Sequence, residues 1–163
     1  MIKIYRQGAV GALLDEYEKA LAELQQVIQD ITDAELIKVV DIKTTDANCR
    51  SIQAILSHVV LSGYAYAIYI RKLWPGAAPH RDNVFHFTIK DYQKDLQDMF
   101  MFTLDTFNDI QDGDLEQSTD DRKIITSWGQ VYNIEQITEH AIVHILRHRR
   151  QVEKFKIALR TAA

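Results

Sequence analysis

Three histidines, His140, His144 and His148, fall at steps of four near the C-terminal end of the chain. On a helix, residues i and i+4 lie one turn apart on the same face, so two imidazoles at this spacing can converge on one ion. Three in a row cannot, because the outer two are separated by about 12 Å along the axis at 1.5 Å per residue. One ion therefore takes His140 with His144, or His144 with His148, and needs ligands from elsewhere. His58 is the natural third. It sits among Ile55, Leu56, Val59 and Val60, where an imidazole without a partner would cost about 1–3 kcal/mol. A metal shared with the last helix would satisfy it. A lone histidine on an apolar helix is more often a hydrogen-bonded core residue than a ligand, and an i,i+4 pair alone also arises on charged faces. The combination is what points to a metal.

Other metal and thiol patterns are absent. There is no His-Glu-x-x-His, no Glu-x-x-His and no Cys-x-x-Cys-His, which removes the zincin protease, the carboxylate di-iron bundle and attached haem. A single cysteine, Cys49, rules out an intrachain disulfide framework and a Cys-rich zinc site, and fits a reducing compartment. His80 and His86, beside Arg81 and Asp82, read as solvated loop residues.

Four segments with helical periodicity must position these side chains. The first spans about residues 9–30, with Leu14, Tyr17, Leu21, Leu24 and Ile28 on one stripe and Glu, Lys and Gln opposite. A polar segment follows over 32–50, opening on Thr32 and Glu35 at capping-box spacing. The second helix, about 51–73, is apolar over most of its surface and so is expected to be covered on more than one side; Trp74-Pro75-Gly76 ends it. The third runs over about 88–108 from a Thr88 N-cap. A polar connection, 109–132, leads to the fourth, about 133–159, where Asn133 and Gln136 have capping-box spacing. Four helices of about 30–40 Å predict an all-α chain, a four-helix bundle forming a single domain over residues 1–163.

The 163 residues carry a net charge of −4, with six glycines and two prolines. The charge argues against a nucleic-acid partner. No run of about 18 uninterrupted apolar residues is present, so no membrane span is expected. The opening residues show no signal-peptide pattern, and the cytoplasm is the expected location.

The run His144-Ile145-Leu146-Arg147-His148-Arg149-Arg150-Gln151-Val152 resembles the last helix of the DinB/YfiT-like family, which reads His-x-x-x-His-Arg-Gly-Gln-Ile. Only Arg150 departs, standing where the family has a small residue. Residues Ser51 to Val60 resemble the family's apolar approach to its first metal histidine, and Trp128-Gly129 with Tyr132-Asn133-Ile134 its approach to the final helix. The resemblance covers the order and spacing of the four helices over most of the chain. It implies an up-down-down-up bundle, commonly a homodimer, with zinc, nickel or iron on His58, His144 and His148. His140 then takes a supporting or pocket role. It also implies a metal-dependent transferase or hydrolase that activates a low-molecular-weight thiol or water.

Tyr64, Tyr92, Trp128 and Tyr132 are pocket candidates, though aromatics of this kind more often serve as core packing or surface residues. Glu135, Glu139 and Gln151 are candidates to accept the second N–H of a ligand histidine. Arg147, Arg149 and Arg150 could grip a substrate carboxylate or form a solvated face, as the spacing of Arg149 to Glu153 allows. The lone cysteine is a small apolar residue or, near a helix start, a thiol of lowered pKa. The competing reading of the whole is a non-catalytic bundle that binds a metal or small ligand.

Overall fold

The computed structural model describes residues 4–76 and 81–161; His80, read as a loop residue, lies outside them. The described chain is all-α apart from one small hairpin. Helix α1 (Gly8–Ile28) buries Leu14, Tyr17, Leu21, Leu24 and Ile28. The short helix α2 (Asp33–Ile37) starts at the reciprocal Thr32–Glu35 capping box. Helices α3 (Ile52–Arg71), α4 (Ile89–Thr106) and α5 (Ile134–Thr161) follow. Their starts are set by local chemistry. The hydroxyls of Ser51 and Thr88 accept from the amides of Ala54 and Asp91, and Asn133 and Gln136 exchange side-chain to backbone bonds. Each satisfies donors that a helix start leaves orphaned. Gln7 makes no side-chain cap at α1; Asp112 accepts from the Val10 amide instead.

Helix α1 packs chiefly on α5 and α4, and α3 on α4 and α5. Residue numbers rise together across two of these seams. Gln53 meets His86 and Arg71 meets Thr106 between α3 and the α4 segment, while Glu23 meets Arg149 and Asp30 meets Lys156 between α1 and α5. They run in opposition across the others, where Tyr17 meets Met99, Gln25 meets Gln93, His58 meets His148 and Tyr66 meets His140. Leu24, Ile52, Ile55, Tyr92, Leu96, Met99 and Val152 are fully buried in one core that all four long helices share.

By length and composition α3 could cross a membrane, with a mean hydropathy of 1.2, but 61% of that window is buried inside the protein. Its apolar surface is used in packing against α4 and α5, with further contacts to α2. At Gly63 α3 and α4 pack tightly: a Cβ there would overlap Met99 Sδ and lie 2.9 Å from its Cγ. Met99 is fully buried and has little room to yield. Gly63→Ala should cost about 1–3 kcal/mol through overpacking, read from urea denaturation; wild-type stability would mean that Met99 moves freely.

The connection between α4 and α5 is more structured than its polarity suggests. It contains a 3₁₀ turn (Asp112–Asp114) and an antiparallel hairpin, β1 (Ile124–Ile125) with β2 (Val131–Tyr132). Gly129 supplies the left-handed turn position at φ 85°. The hairpin is tied to α3 by Ser127, whose amide donates to Tyr69 Oη at 2.8 Å. Strands of two residues are too short to show an alternating pattern.

Candidate metal centre

Where α3 and α5 pass in opposite directions, His58 meets two successive turns of α5. His144 Nε2 lies 3.0 Å from His58 Nε2 and 3.2 Å from His148 Nε2. The three donor atoms all fall within 4.8 Å of one another. Three nitrogens around a tetrahedral ion at 2.0–2.1 Å stand about 3.4 Å apart, so the cluster is close to ligand spacing. The rings meet edge to face, with centroids 4.4–5.1 Å apart. Of the two histidine pairs open from sequence, the structure brings His144 and His148 to His58 and leaves His140 a turn away.

The hydrogen bonding around the cluster suits a cation better than it suits three free imidazoles. His148 Nδ1 lies 3.0 Å from Gln151 Oε1. An amide oxygen only accepts, so Nδ1 carries the proton and the neutral ring turns the Nε2 lone pair towards the cluster. His144 Nε2 has two imidazole neighbours but serves at most one of them well. Whichever tautomer His144 takes, one close nitrogen pair is left mismatched, and a cation removes the conflict. Burial, first of all, and then the neighbouring imidazoles hold His144 down to about 2. Burial likewise pushes His148 down to about 4, against the bond it donates to Gln151, and lowers His58 and His140. The positive charge of Arg147 works in the same direction on all four. The rings are therefore neutral near pH 7, the form that ligates a metal.

His140 belongs to an aromatic layer beside the cluster. Its Nδ1 is 3.1 Å from Tyr132 Oη, and its ring stacks on Trp128 at 6.0 Å. Tyr66 stands edge-on to both His140 and His144. Tyr66 was not among the sequence candidates, yet by the 3.6-residue period it lies nearer the His58 face of α3 than Tyr64 does. Tyr64 and Tyr92 go elsewhere: Tyr64 packs on Phe102 under Arg81, and the Tyr92 hydroxyl bonds Ser57 and Gln53 in the α3–α4 seam. His86 is also not simply solvated. It is half-buried, with Nε2 2.9 Å from the buried carboxylate of Asp95, which Arg81 also holds.

One cleft opens on the cluster and a second lies beside His140. The first, of about 390 Å3, is bounded by Asp46, Cys49, His58, His148 and Gln151, with Arg147, Arg150 and Lys154 at its rim. Burial raises the Cys49 thiol, so it is a protonated wall residue and not a thiol activated by a helix start. The other cleft, of about 530 Å3, lies against His140, Tyr132 and Glu139. Of the candidates to orient a ligand ring, Gln151 is the one bonded to a histidine of the cluster. Gln151→Ala should weaken metal binding about 10- to 100-fold, the usual cost of losing such a support; chelator competition measures it, and an unchanged affinity would remove Gln151 from that role.

The fold and the site together define an all-α protein with a cluster of three neutral histidines at the crossing of two long helices. In comparisons with known proteins, no family model matches the chain and no curated protein matches it.

Proposed function

We propose that this chain is a divalent-metal protein of the DinB/YfiT-like kind, an enzyme that activates a small thiol or water for transfer or hydrolysis. His58, His144 and His148 hold a zinc, nickel or iron ion, and the four long helices form an up-down-down-up bundle, with a homodimer as part of the same reading. The observation that carries it is the convergence of three Nε2 atoms at the wall of a cleft. Among the described residues no fourth His, Cys, Asp or Glu joins that group. Three protein ligands with an open position are the pattern of catalytic sites, whereas structural zinc sites close with four. The bundle is supported by the cyclic packing of the long helices and by the directions in which residue numbers run across the seams.

A divalent ion in this position supplies positive charge that lowers the pKa of a thiol or water next to it. The protein's own part is to keep the imidazoles neutral by burial and to fix the His148 ring through Gln151. It also offers a cleft in which a second reactant can lie against His58 and His148. The alternative is a non-catalytic binding bundle. Asp46 and Cys49 line the same cleft, and either of them closing the site would favour that alternative.

Absorption of the cobalt-substituted protein, titrated with cysteine and with β-mercaptoethanol, tests the choice. New bands that saturate with added thiol support an open, thiol-accepting site. A spectrum that already carries a sulfur-to-cobalt band and does not respond to thiol would overturn the enzyme reading in favour of a site closed by Cys49.

A further inference from the structure

Helix α5 carries six cationic side chains between Arg147 and Arg160 that divide into two sets. Those turned towards α1 are paired. Arg149 meets Glu23 and Glu153, Lys156 meets Asp30, and Arg160 meets Asp30 and Glu35. Arg147, Arg150 and Lys154 lie at the cleft beside the histidine cluster, and among the described residues none of the three makes an ion pair. They follow one another at steps of three and four, so they share one helical face. Among the described residues, the only carboxylate bounding the cleft is Asp46. It is occupied within its own turn, accepting from the Asn48 amide at 2.9 Å and from the Cys49 thiol at 3.4 Å. A protein with a net charge of −4 thus keeps three unpaired cations together at the mouth of its candidate site.

Like charges on adjacent turns repel, and a fold gains nothing from gathering them without a counter-charge. A ligand that brings the counter-charge accounts for them. We propose that the cleft takes a small molecule bearing an oxyanion, carboxylate or phosphate. Arg147, Arg150 and Lys154 hold that group at the rim, and the remainder of the molecule reaches in towards His58 and His148. A guanidinium fork matches either oxyanion in bidentate geometry, and about 390 Å3 lies in the range of small-molecule sites. The inference rests on the proposed metal site only for what the inner end of the molecule would meet.

The test uses metal-free full-length protein, so that anion binding and metal binding are scored separately. Inorganic phosphate and succinate are titrated in turn against ¹⁵N-labelled protein, and amide shifts are followed by NMR. Saturable shifts centred on residues 46–49 and 147–154 are expected with both probes, weakening as sodium chloride screens the charges. R147Q/R150Q should weaken binding at least about tenfold, the usual scale for losing hydrogen bonds to a charged group. K154Q, a milder change, should weaken it less, and K123Q, whose ammonium is paired with Asp120 and does not line the cleft, should leave it unchanged. Shifts that do not saturate, or that survive in R147Q/R150Q, would overturn the proposal. Elemental analysis after reconstitution gives the second readout. Metal uptake without anion binding would overturn this proposal and leave the metal reading standing. Anion binding without metal uptake would support the anion site and sink the metal reading.

Discussion

His144→Ala is expected to weaken metal binding by about two orders of magnitude. His144 Nε2 is the central atom of the cluster, 3.0 Å from His58 Nε2 and 3.2 Å from His148 Nε2, so its removal leaves two donors on different helices with nothing between them. Structural zinc sites in small domains are worth about 10–16 kcal/mol over four ligands. One ligand then accounts for about 3 kcal/mol, or about two orders of magnitude in affinity. Elemental mass spectrometry should find near one equivalent in the parent after reconstitution and little in the variant, and chelator competition should give the loss in affinity. Stability supplies an independent readout. Zinc at about 100 times its Kd stabilises a protein by about 2.7 kcal/mol, which for a domain of this size raises Tm by about 5–10 °C. That rise should vanish in His144→Ala. Because His144 is buried against Tyr66, truncation also costs packing, so His58→Ala, at a half-buried position, is the companion variant. Metal retained at parental affinity in both variants would end the three-histidine reading.

What the sequence made legible follows from how local each signal is. The periodicity of the apolar residues located all four long helices to within two or three residues, because amphipathic stripes repeat over five turns or more. Side-chain caps at Thr32, Thr88 and Asn133 are encoded within four residues and were equally readable. The i,i+4 histidines were visible for the same reason. The contact between His58 and His144 spans 86 positions and exists only once α3 packs against α5, so spacing alone left two histidine pairs open. The direction of side chains around α3 likewise decided that Tyr66, and not Tyr64, reaches the cluster. The Asp46–Cys49 wall of the cleft comes from a 3₁₀ turn (Ala47–Cys49) in a stretch with no periodicity, and the hairpin that brings Trp128 over His140 is too brief to leave a pattern.

Metal-free protein should lose stability as the pH is lowered from about 6.5 towards 4. An unfolded histidine titrates near 6.5, whereas burial holds His148 at about 4 and His144 at about 2 in the fold. Between those values the unfolded chain binds protons that the folded protein refuses, so each step down in pH favours unfolding. The contribution is fully present above about 6.5 and is lost as the pH falls through the folded value. For His148 the interval is about 2.5 units, which at 1.36 kcal/mol per unit corresponds to a loss of about 3 kcal/mol. His144 is not added in full, since protonating either ring further opposes protonation of the other. The stabilising carboxylates act in a different window. Asp30, held at about 2 by bonds from Lys156 and Arg160, and Glu35, held at about 2 by Arg160 and the Thr32 amide, lose their contribution only below the ordinary carboxylate range near 4. Urea denaturation at pH 7, 5.5 and 4.5 isolates the contribution of the histidines, and His144→Leu/His148→Leu should flatten the profile over that interval. With zinc bound, the same protons compete with the ion, so release should fall in this window and be steeper than one-proton behaviour. A metal-free profile as flat in the parent as in the double variant would show the imidazoles charging freely inside the fold. That result would remove the neutrality on which ligation depends, and the cluster would have to be read as a hydrated polar contact between α3 and α5.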